Sequence, residues 1–368
     1  MDHRNKKFFF EMLLYYQLPL FILWSFTTII VSQHVSAVSL PNNETVPAIM
    51  AFGDSIVDTG NNNYIWTIGK CNFLPYGRDF GRGNQPTGRF SNGLVPSDIA
   101  AANFGVKQLL PAYLDPKLQP QDLLTGVSFA SGGVGYDPLT SKIASVLSLS
   151  KQLDKFREYK NKITETVGEN STTIISKSIY ILCSGSNDIA NTYSLFRREK
   201  YDIAAYTDFM ISQATNFLQE LYGLGARRIG VFTLPPIGCV PSQRTLRGGI
   251  QRTCSDFENQ AAMLFNTKLK SQLDALKILF SDARFVYLDI YGPLLNMIQN
   301  PAKYGFEVAD KGCCGTGDIE VSVLCNRLSP VCSNTSNYIF WDSFHPTQAA
   351  YNVLSSTVLD DNKIKEFF

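Results

Sequence analysis

Short runs rich in β-branched residues alternate with long amphipathic stretches along most of this chain, and this alternation limits the folds open to it. Strands separated by helices predict right-handed crossovers and a parallel sheet covered on both faces. The predicted strands are 46–52, 127–130, 178–183, 228–234 and 284–288, and the predicted helices are 95–104, 143–166, 201–224 and 254–280. We therefore expect an α/β fold of three layers, α/β/α.

Two long segments interrupt the alternation. Residues 58–93 are rich in Gly, Asn and Pro, which predicts a long loop after the first strand. Residues 301–341 contain four cysteines and little periodicity, which predicts a loop held by disulfides before the last helix. Loops of this length within a compact domain are usually functional or disordered.

The N-terminus has the pattern of a secretory signal peptide. Three basic residues among the first seven precede an apolar stretch at 18–31, and Val35-Ser36-Ala37 fits cleavage after Ala37. The alternative is an uncleaved membrane anchor, but 18–31 is shorter than the roughly 20 residues that a spanning helix needs. No second apolar run of spanning length follows. We therefore expect a signal peptide at 1–37 and a single secreted domain at 38–368.

The cysteines agree with secretion. All eight follow the predicted cleavage site, and an even number fits disulfides formed in an oxidising compartment. Eight cysteines allow four bridges of open connectivity; Cys239 and Cys254 could close a loop, whereas Cys71 and Cys183 have no evident partner. Zinc is an alternative for the four cysteines of 301–341, but their spacing does not fit Cys-x-x-Cys ligand pairs. Structural bridges are the expectation.

The glycosylation sequons bear on the compartment of the protein, and its charge balance bears on its partners. Sequons for N-glycosylation begin at Asn43, Asn170 and Asn334, which again agrees with secretion. After residue 37 the chain has 30 basic and 30 acidic residues. This balance gives no electrostatic reason to expect nucleic acid or an anionic membrane as a partner. The sequence specifies no oligomeric state.

Histidine is scarce, and its scarcity restricts the chemistry. Of His3, His34 and His345, only His345 remains once the signal peptide is removed. A multi-histidine metal site within one mature chain is then impossible, and any histidine base must be His345. Asp342 lies three residues earlier and Pro346 suits the first turn of the last helix, so the carboxylate can hold one ring nitrogen and leave the other free. A helix-capping Asp beside a surface His is the alternative.

Polar groups also follow two predicted strands at their carboxyl ends, where α/β folds place their chemistry. Ser55 follows the first strand and Asn187 follows the strand 178–183. Ser55 could cap a helix or, with an adjacent base, act as a nucleophile. The Asn187 amide suits an oxyanion, and the glycines of 131–135 let a backbone N–H approach a ligand. The alternatives are structural: Asn187 could form an Asx turn, and 131–135 could be a flexible loop.

Four short motifs occur in the order found in GDSL esterase/lipases, which form the SGNH hydrolase superfamily. They are Phe52-Gly53-Asp54-Ser55, the region of Gly133, Gly185-Ser186-Asn187-Asp188 and Asp342-Ser343-Phe344-His345. Longer stretches at 53–63, 86–93 and 312–317 resemble the plant branch. The resemblance covers essentially everything after the signal peptide, and within the plant branch the chain looks most similar to the extracellular lipases.

The resemblance implies a secreted serine esterase/lipase that cleaves carboxylic esters of small molecules or lipids, without cofactor or metal. It implies Ser55 as nucleophile, His345 as general base and then acid, and Asp342 as the residue that orients His345. The implied oxyanion hole consists of the Ser55 N–H, the Gly133 N–H and the Asn187 side chain, with any glycine of 132–135 open as the second donor. The implied fold has a five-stranded parallel sheet in flavodoxin-like order.

Two other functions share these features. Acyl transfer would use the same triad, with an alcohol replacing water in the second step. A secreted lipid- or glycan-binding protein could keep the fold with little turnover, but the intact triad and Asn187 argue against it. The Gly-x-Ser-x-Gly motif of α/β-hydrolases, a full dinucleotide fingerprint and a phosphate-binding loop are absent from the sequence.

Overall fold

The structure is a computed structural model that describes residues 40, 41 and 44–368. The predicted signal peptide, its cleavage site and Asn43 lie outside the described residues. In the described part of the chain, no helix is long and apolar enough to cross a membrane. No group of three or more His, Cys, Asp or Glu side chains in that part is arranged to hold a metal ion.

Strands and helices alternate along the described chain. The strands are β1 (Ile49–Gly53), β2 (Ile179–Cys183), β3 (Arg228–Phe232), β4 (Arg284–Leu288), β5 (Val308–Gly312) and β6 (Tyr338–Phe340). The α-helices are α1 (Pro96–Asn103), α2 (Pro120–Leu123), α3 (Pro138–Ala144), α4 (Leu149–Val167), α5 (Asn170–Lys177), α6 (Ile203–Gly223), α7 (Pro241–Arg247), α8 (Asp256–Leu279), α9 (Tyr291–Gln299), α10 (Gln348–Val358) and α11 (Asp361–Lys365). A π-helix spans Asp188–Arg197, and short 3-10 helices lie in the loops.

Strands β1, β2, β3 and β4 form one parallel sheet in that order. The side chains of β1 alternate between two hydrophobic clusters, as a strand requires. Met50 and Phe52 belong to the cluster that contains buried residues of α4, α6 and α8. Ile49 and Ala51 belong to the cluster that contains buried residues of α1, α9 and α10. The α/β class and the parallel sheet are thus confirmed, and helices cover both faces of the sheet.

The prediction of a fifth strand at 127–130 is wrong. The segment runs parallel to β1, with the Ala51 N–H donating to Val127 (3.2 Å) and the Phe129 N–H donating to Ala51 (2.7 Å). These bonds make a single bridge to β1, at Ser128, and not a continuous ladder. The sheet that contains β1 therefore has four strands among the described residues.

Competing contacts interrupt the pairing toward both ends of this segment, although the Ile49 N–H still donates to Thr125 (3.3 Å) and the Ser131 N–H to Gly53 (2.9 Å). The N–H of Gly53, which would extend the ladder, donates to Gln152 Oε1 on α4 (2.8 Å). Gln152 Nε2 in turn donates to the Gly53 carbonyl (3.0 Å). At the other end Gly126 has a φ of 91°, outside the conformation of a strand. A Cβ atom there would lie 2.0 Å from the Ile49 carbonyl oxygen.

Asn61 covers the outer side of the segment 127–130. Its Nδ2 donates to the carbonyls of Ser128 and Ala130, each at 2.8 Å. The backbone of Ser128 also pairs with Pro111 and Tyr113 on that side. The long loop 58–93 thus begins by satisfying the backbone at the edge of the sheet.

A buried ion pair fixes the far end of the loop 58–93. Arg89 donates two hydrogen bonds of 2.7 Å to the carboxylate of Asp98 on α1. It donates further bonds to the carbonyls of Thr59 (3.2 Å) and Leu110 (3.1 Å). The exposed fraction of the side chain is 6% for Arg89 and 0% for Asp98. Both charges are therefore paired and hydrogen-bonded within the interior.

Three further details differ from the expectations. The segment 301–341 contains the unpredicted strands β5 and β6, which pair in parallel. The predicted helix 143–166 is broken at Ser145, whose φ of 53° separates α3 from α4. Pro346 precedes α10, whose N-cap is Thr347, and so does not lie in the first turn of that helix.

Three disulfides join six of the eight cysteines: Cys239–Cys254, Cys313–Cys332 and Cys314–Cys325. The loop closure expected for Cys239 and Cys254 is confirmed. The fourth bridge that eight cysteines would allow is not formed: Cys71 and Cys183, which had no evident partner in the sequence, are unpaired. These two cysteines are buried in different hydrophobic clusters.

Candidate active site

Ser55 lies in the tight turn that follows β1. The turn starts at Gly53, whose φ is 123° and where a Cβ atom would lie 1.8 Å from the carbonyl oxygen of Cys183 on β2. Only glycine fits this conformation and this close approach. The turn brings Ser55 to the carboxyl edge of the sheet, where its side chain is nearly buried. Its backbone N–H donates to no acceptor among the described residues.

Ser55, His345 and Asp342 form a continuous hydrogen-bonded row. Nε2 of His345 lies 2.8 Å from the Ser55 Oγ. Nδ1 of the same ring lies 2.8 Å from Asp342 Oδ2 and 3.0 Å from Oδ1. The fold thus brings together the three predicted residues, although 290 positions separate Ser55 from His345. Below, this row is called the triad.

The carboxylate of Asp342 also shapes the turn that carries His345. Its Oδ1 accepts the backbone N–H groups of Phe344 (2.8 Å) and His345 (2.7 Å). The N–H of Trp341 donates to the His345 carbonyl (2.8 Å) and closes the turn. Since His345 is 3% exposed, the alternative of a surface histidine beside a helix cap is wrong.

Two aromatic residues of the loop 58–93 contact the triad without having been predicted. The hydroxyl of Tyr76 donates to Asp342 Oδ2 (2.7 Å). The ring of Phe90 lies against His345, with 5.2 Å between the ring centroids. The resemblance of 86–93 to the plant branch was the signal that could have indicated Phe90. Tyr76 lay between Pro75 and Gly77 in a loop that gave no indication of this contact.

Asn187 lies beside the glycine-rich loop that follows the segment 127–130. Its Nδ2 donates to the carbonyl of Val134 (2.9 Å), and the amide retains a second N–H. The N–H of Gly132 is occupied by a carboxylate at 3.0 Å. The N–H groups of Gly133 and Gly135 donate to no acceptor among the described residues. Gly132 is therefore the glycine least able to supply a donor to a ligand.

Three buried carboxyl groups, those of Asp54, Asp58 and Asp188, follow the strands β1 and β2. Burial raises the pKa of Asp54 to about 7, that of Asp58 to about 6 and that of Asp188 to about 7, and backbone N–H donors oppose this effect. Asp58 accepts the N–H of Gly132 (3.0 Å), and Asp188 accepts the N–H of Tyr136 (2.7 Å). The loops after β1 and β2 are thereby joined to the glycine-rich loop.

A Ser–His–Asp row of this geometry, at the carboxyl edge of a parallel α/β sheet, is the arrangement used by serine hydrolases. The backbone N–H of Ser55, which no described residue accepts, is a donor of the kind that such enzymes direct at an oxyanion. The fold and the site therefore define a serine hydrolase of the α/β class.

Sequence comparison identifies the family. The sequence model described as GDSL-like Lipase/Acylhydrolase matches residues 49–358. GDSL esterase/lipase EXL3 of Arabidopsis thaliana is 52% identical over 337 residues, which cover 91% of this chain and 92% of the relative. GDSL esterase/lipase At5g42170 of the same plant is 53% identical over 324 residues, covering 88% and 87% respectively. This chain belongs to the GDSL-like lipase/acylhydrolase family, which confirms the predicted resemblance. It is a serine esterase/lipase, a hydrolase of carboxylic esters.

Proposed function

We propose that this enzyme works through an acyl-serine intermediate, with Ser55 as nucleophile, His345 as general base and then acid, and Asp342 as the residue that orients His345. The observation that carries the proposal is the triad geometry, with 2.8 Å from Ser55 Oγ to His345 Nε2 and 2.8 Å from Nδ1 to Asp342 Oδ2. A serine hydroxyl needs such an adjacent base because it is otherwise a weak nucleophile.

Acylation proceeds in two parts. Ser55 Oγ bonds to the ester carbonyl carbon while its proton passes to His345 Nε2, and the C=O π electrons move to the oxygen. The resulting tetrahedral intermediate expels the alcohol oxygen, which takes the proton from Nε2. Deacylation repeats the two parts with water as nucleophile, and it releases the acid and restores Ser55. Asp342 stabilises the imidazolium present between the proton transfers.

The oxyanion is proposed to accept hydrogen bonds from the backbone N–H groups of Ser55 and Gly133 and from the side-chain N–H of Asn187. All three groups have a hydrogen to donate that no described residue accepts. Because such donors are fixed before the reaction, they stabilise the charge that develops in the transition state without further reorganisation.

We also propose that residues 1–37 are a cleaved signal peptide and that 38–368 form a single secreted domain acting on small-molecule or lipid esters. Disulfides support an oxidising compartment, and the sequon residues Asn170 and Asn334 are exposed. Mass spectrometry of the exported protein should find Val38 at the N-terminus and glycans at exposed sequons. Retention of Met1 would contradict the cleavage.

The triad is tested with p-nitrophenyl esters of increasing acyl length, using the chain that lacks residues 1–37. Ser55→Ala should lower kcat by about 10⁴-fold or more, since the covalent route is lost. Ser141→Ala is the matched control, because its hydroxyl is also buried but has no hydrogen-bond partner among the described residues. The control should retain the parent rate.

Equal rates for the parent and a folded Ser55→Ala variant would remove Ser55 as the nucleophile. Product analysis in the presence of added alcohols separates hydrolysis from acyl transfer. Free acid as the dominant product supports the proposal, whereas new esters as the dominant product would make the enzyme an acyltransferase with the same triad.

A further inference from the structure

Tyr76 reaches the triad from a distant part of the sequence. Its hydroxyl oxygen lies 2.7 Å from Asp342 Oδ2, although 266 positions separate the two residues. Both side chains are fully buried. Because Tyr76 lies on the side of Asp342 away from Ser55 in the row of hydrogen bonds, it acts on the reaction only through Asp342 and His345.

The partners of the Tyr76 hydroxyl fix the direction of this hydrogen bond. The backbone N–H of Ser322 donates to the hydroxyl oxygen at 2.7 Å. A backbone N–H can only donate and a phenol has a single proton, so Tyr76 accepts from Ser322 and donates to Asp342. Burial, with the charge of Asp342 nearby, raises the pKa of Tyr76 well above its ordinary value. The hydroxyl therefore remains a donor across the working pH range.

The two carboxylate oxygens of Asp342 have different partners. Oδ1 accepts two backbone N–H groups of its own turn, those of Phe344 and His345. Oδ2 is the oxygen nearer to His345 Nδ1, at 2.8 Å against 3.0 Å. Besides that ring nitrogen, Oδ2 accepts only the Tyr76 hydroxyl among the described residues. Tyr76 is thus the group that fixes the oxygen on which the imidazole depends.

Tyr76 is itself held in place by aromatic and loop contacts. Its ring packs edge-on against Trp341 and Phe73, with centroids 6.1 Å and 5.9 Å away. Ser322 belongs to the loop closed by Cys314–Cys325. The Ser322 hydroxyl donates to two carbonyls of the loop 58–93, at 3.2 Å and 2.9 Å. The ring of Tyr76 and the Ser322 N–H that donates to its hydroxyl are therefore both held in place.

We propose that Tyr76 is a positioning residue of this esterase, whose hydroxyl holds Asp342 Oδ2 so that His345 presents Nε2 to Ser55. The inference rests on the proposed roles of those three residues. Loss of the hydroxyl is expected to impair the chemical step and to leave ester binding intact, since orientation of the base matters for proton transfer and not for substrate affinity.

Tyr76→Phe tests the proposal because it removes only the hydroxyl. We expect kcat to fall by about 10-fold to 100-fold with KM changed by less than about twofold. Without the Tyr76 donor, Asp342 stabilises protonated His345 more strongly, so the acidic limb of the pH profile of kcat/KM should move to higher pH. Of the other titratable groups near Asp342 and His345, Asp54 is present in both proteins. Burial raises the pKa of Cys71 and of Tyr351 well above their ordinary values, so both stay neutral and do not produce the difference.

Tyr159→Phe is the matched control. Tyr159 is also fully buried, and its hydroxyl donates to the carbonyl of Leu123 (2.7 Å), away from the triad. It should lose stability without a change in kcat or in the pH profile. Rates are expressed per reactive serine, titrated with a phosphonate ester, so that unfolded protein does not enter the comparison.

A double-mutant cycle separates positioning from a structural role. In an Asp342→Ala background, Tyr76→Phe should have no further effect on kcat, because its target is gone. An equal loss in both backgrounds, or no loss in either, would overturn the inference about Tyr76. Full activity of Asp342→Ala alone would instead overturn the proposed triad, and the two failures are therefore distinguishable.

Discussion

At the scale of single residues, Asn187 uses one amide N–H to hold the glycine-rich loop, and the other, which no described residue accepts, is the proposed oxyanion donor. Asn187→Ala should lower kcat by about 10²-fold to 10³-fold with little change in KM, because the donor acts on charge that develops in the transition state. Steady-state kinetics on a short-chain ester measure this. Asn216→Ala, an exposed asparagine on α6, is the control. Unchanged kcat in folded Asn187→Ala would exclude the amide from the oxyanion hole.

The ion pair of Arg89 with Asp98 allows a second residue-scale prediction. Arg89→Met leaves a buried carboxylate without its partner, so the free energy of unfolding should fall by about 3–5 kcal/mol. Arg157→Met is the same change at an exposed arginine that pairs with Asp154 and Glu220, where the loss should stay below about 1 kcal/mol. Urea unfolding of both variants gives the comparison, and equal losses would contradict this account.

Single residues also show which parts of the site could be predicted from the sequence. Elimination restricted any histidine base to His345, and their places after strands made Ser55 and Asn187 candidates. Their roles were predictable only from the resemblance to GDSL esterase/lipases. Tyr76 was not predictable, because a contact across 266 positions depends on how two long loops pack. The assignment of a donor among the glycines was equally out of reach, since it depends on which N–H a buried carboxylate occupies.

At the scale of secondary-structure elements, α4 holds the end of β1 through Gln152, which exchanges two hydrogen bonds with Gly53. Gln152→Leu keeps the volume but leaves the buried N–H of Gly53 unpaired. We expect the free energy of unfolding to fall by about 1–3 kcal/mol. The same substitution at the exposed Gln219 of α6 should change it by less than about 0.5 kcal/mol. A loss at Gln152 no larger than at Gln219 would show that these bonds add nothing to stability.

Elements whose apolar periodicity is long and strong were predictable, and those decided by one side chain were not. The predicted helices 95–104, 201–224 and 254–280 agree with α1, α6 and α8 within two residues at each end. The segment 127–130 has the composition of a strand. However, the side-chain oxygen of Gln152 accepts the Gly53 N–H that would otherwise extend the pairing of this segment with β1. No local pattern indicates that competition.

At the scale of the whole molecule, buried carboxyl groups make stability depend on pH. The folded pKa of Asp54 is raised to about 7 by burial, so the folded chain keeps this proton at a pH where the unfolded chain has lost it. The contribution is fully present below about pH 4 and is lost as pH rises through about 7. Asp54→Asn should therefore gain stability relative to the parent across this window, by up to about 1.4 kcal/mol per pH unit.

Thermal unfolding at half-unit steps from pH 4 to pH 8 measures that difference. Asp361→Asn, at an exposed position on α11, is the control and should follow the parent curve. Parallel curves for Asp54→Asn and the parent would show that the Asp54 carboxyl titrates alike in the folded and unfolded chains.

The cover that Asn61 places over the segment 127–130 has a consequence for how copies of this protein meet. An uncovered strand edge is a template on which another chain can add a strand, and such additions lead to domain swapping and fibrils. Here the carbonyls of Ser128 and Ala130 are already occupied by one side-chain amide, and the Ser128 N–H by Pro111. Crowded copies of the enzyme therefore find no vacant pairing groups at these positions, because the side chain of Asn61 and the backbone of 111–113 together occupy them.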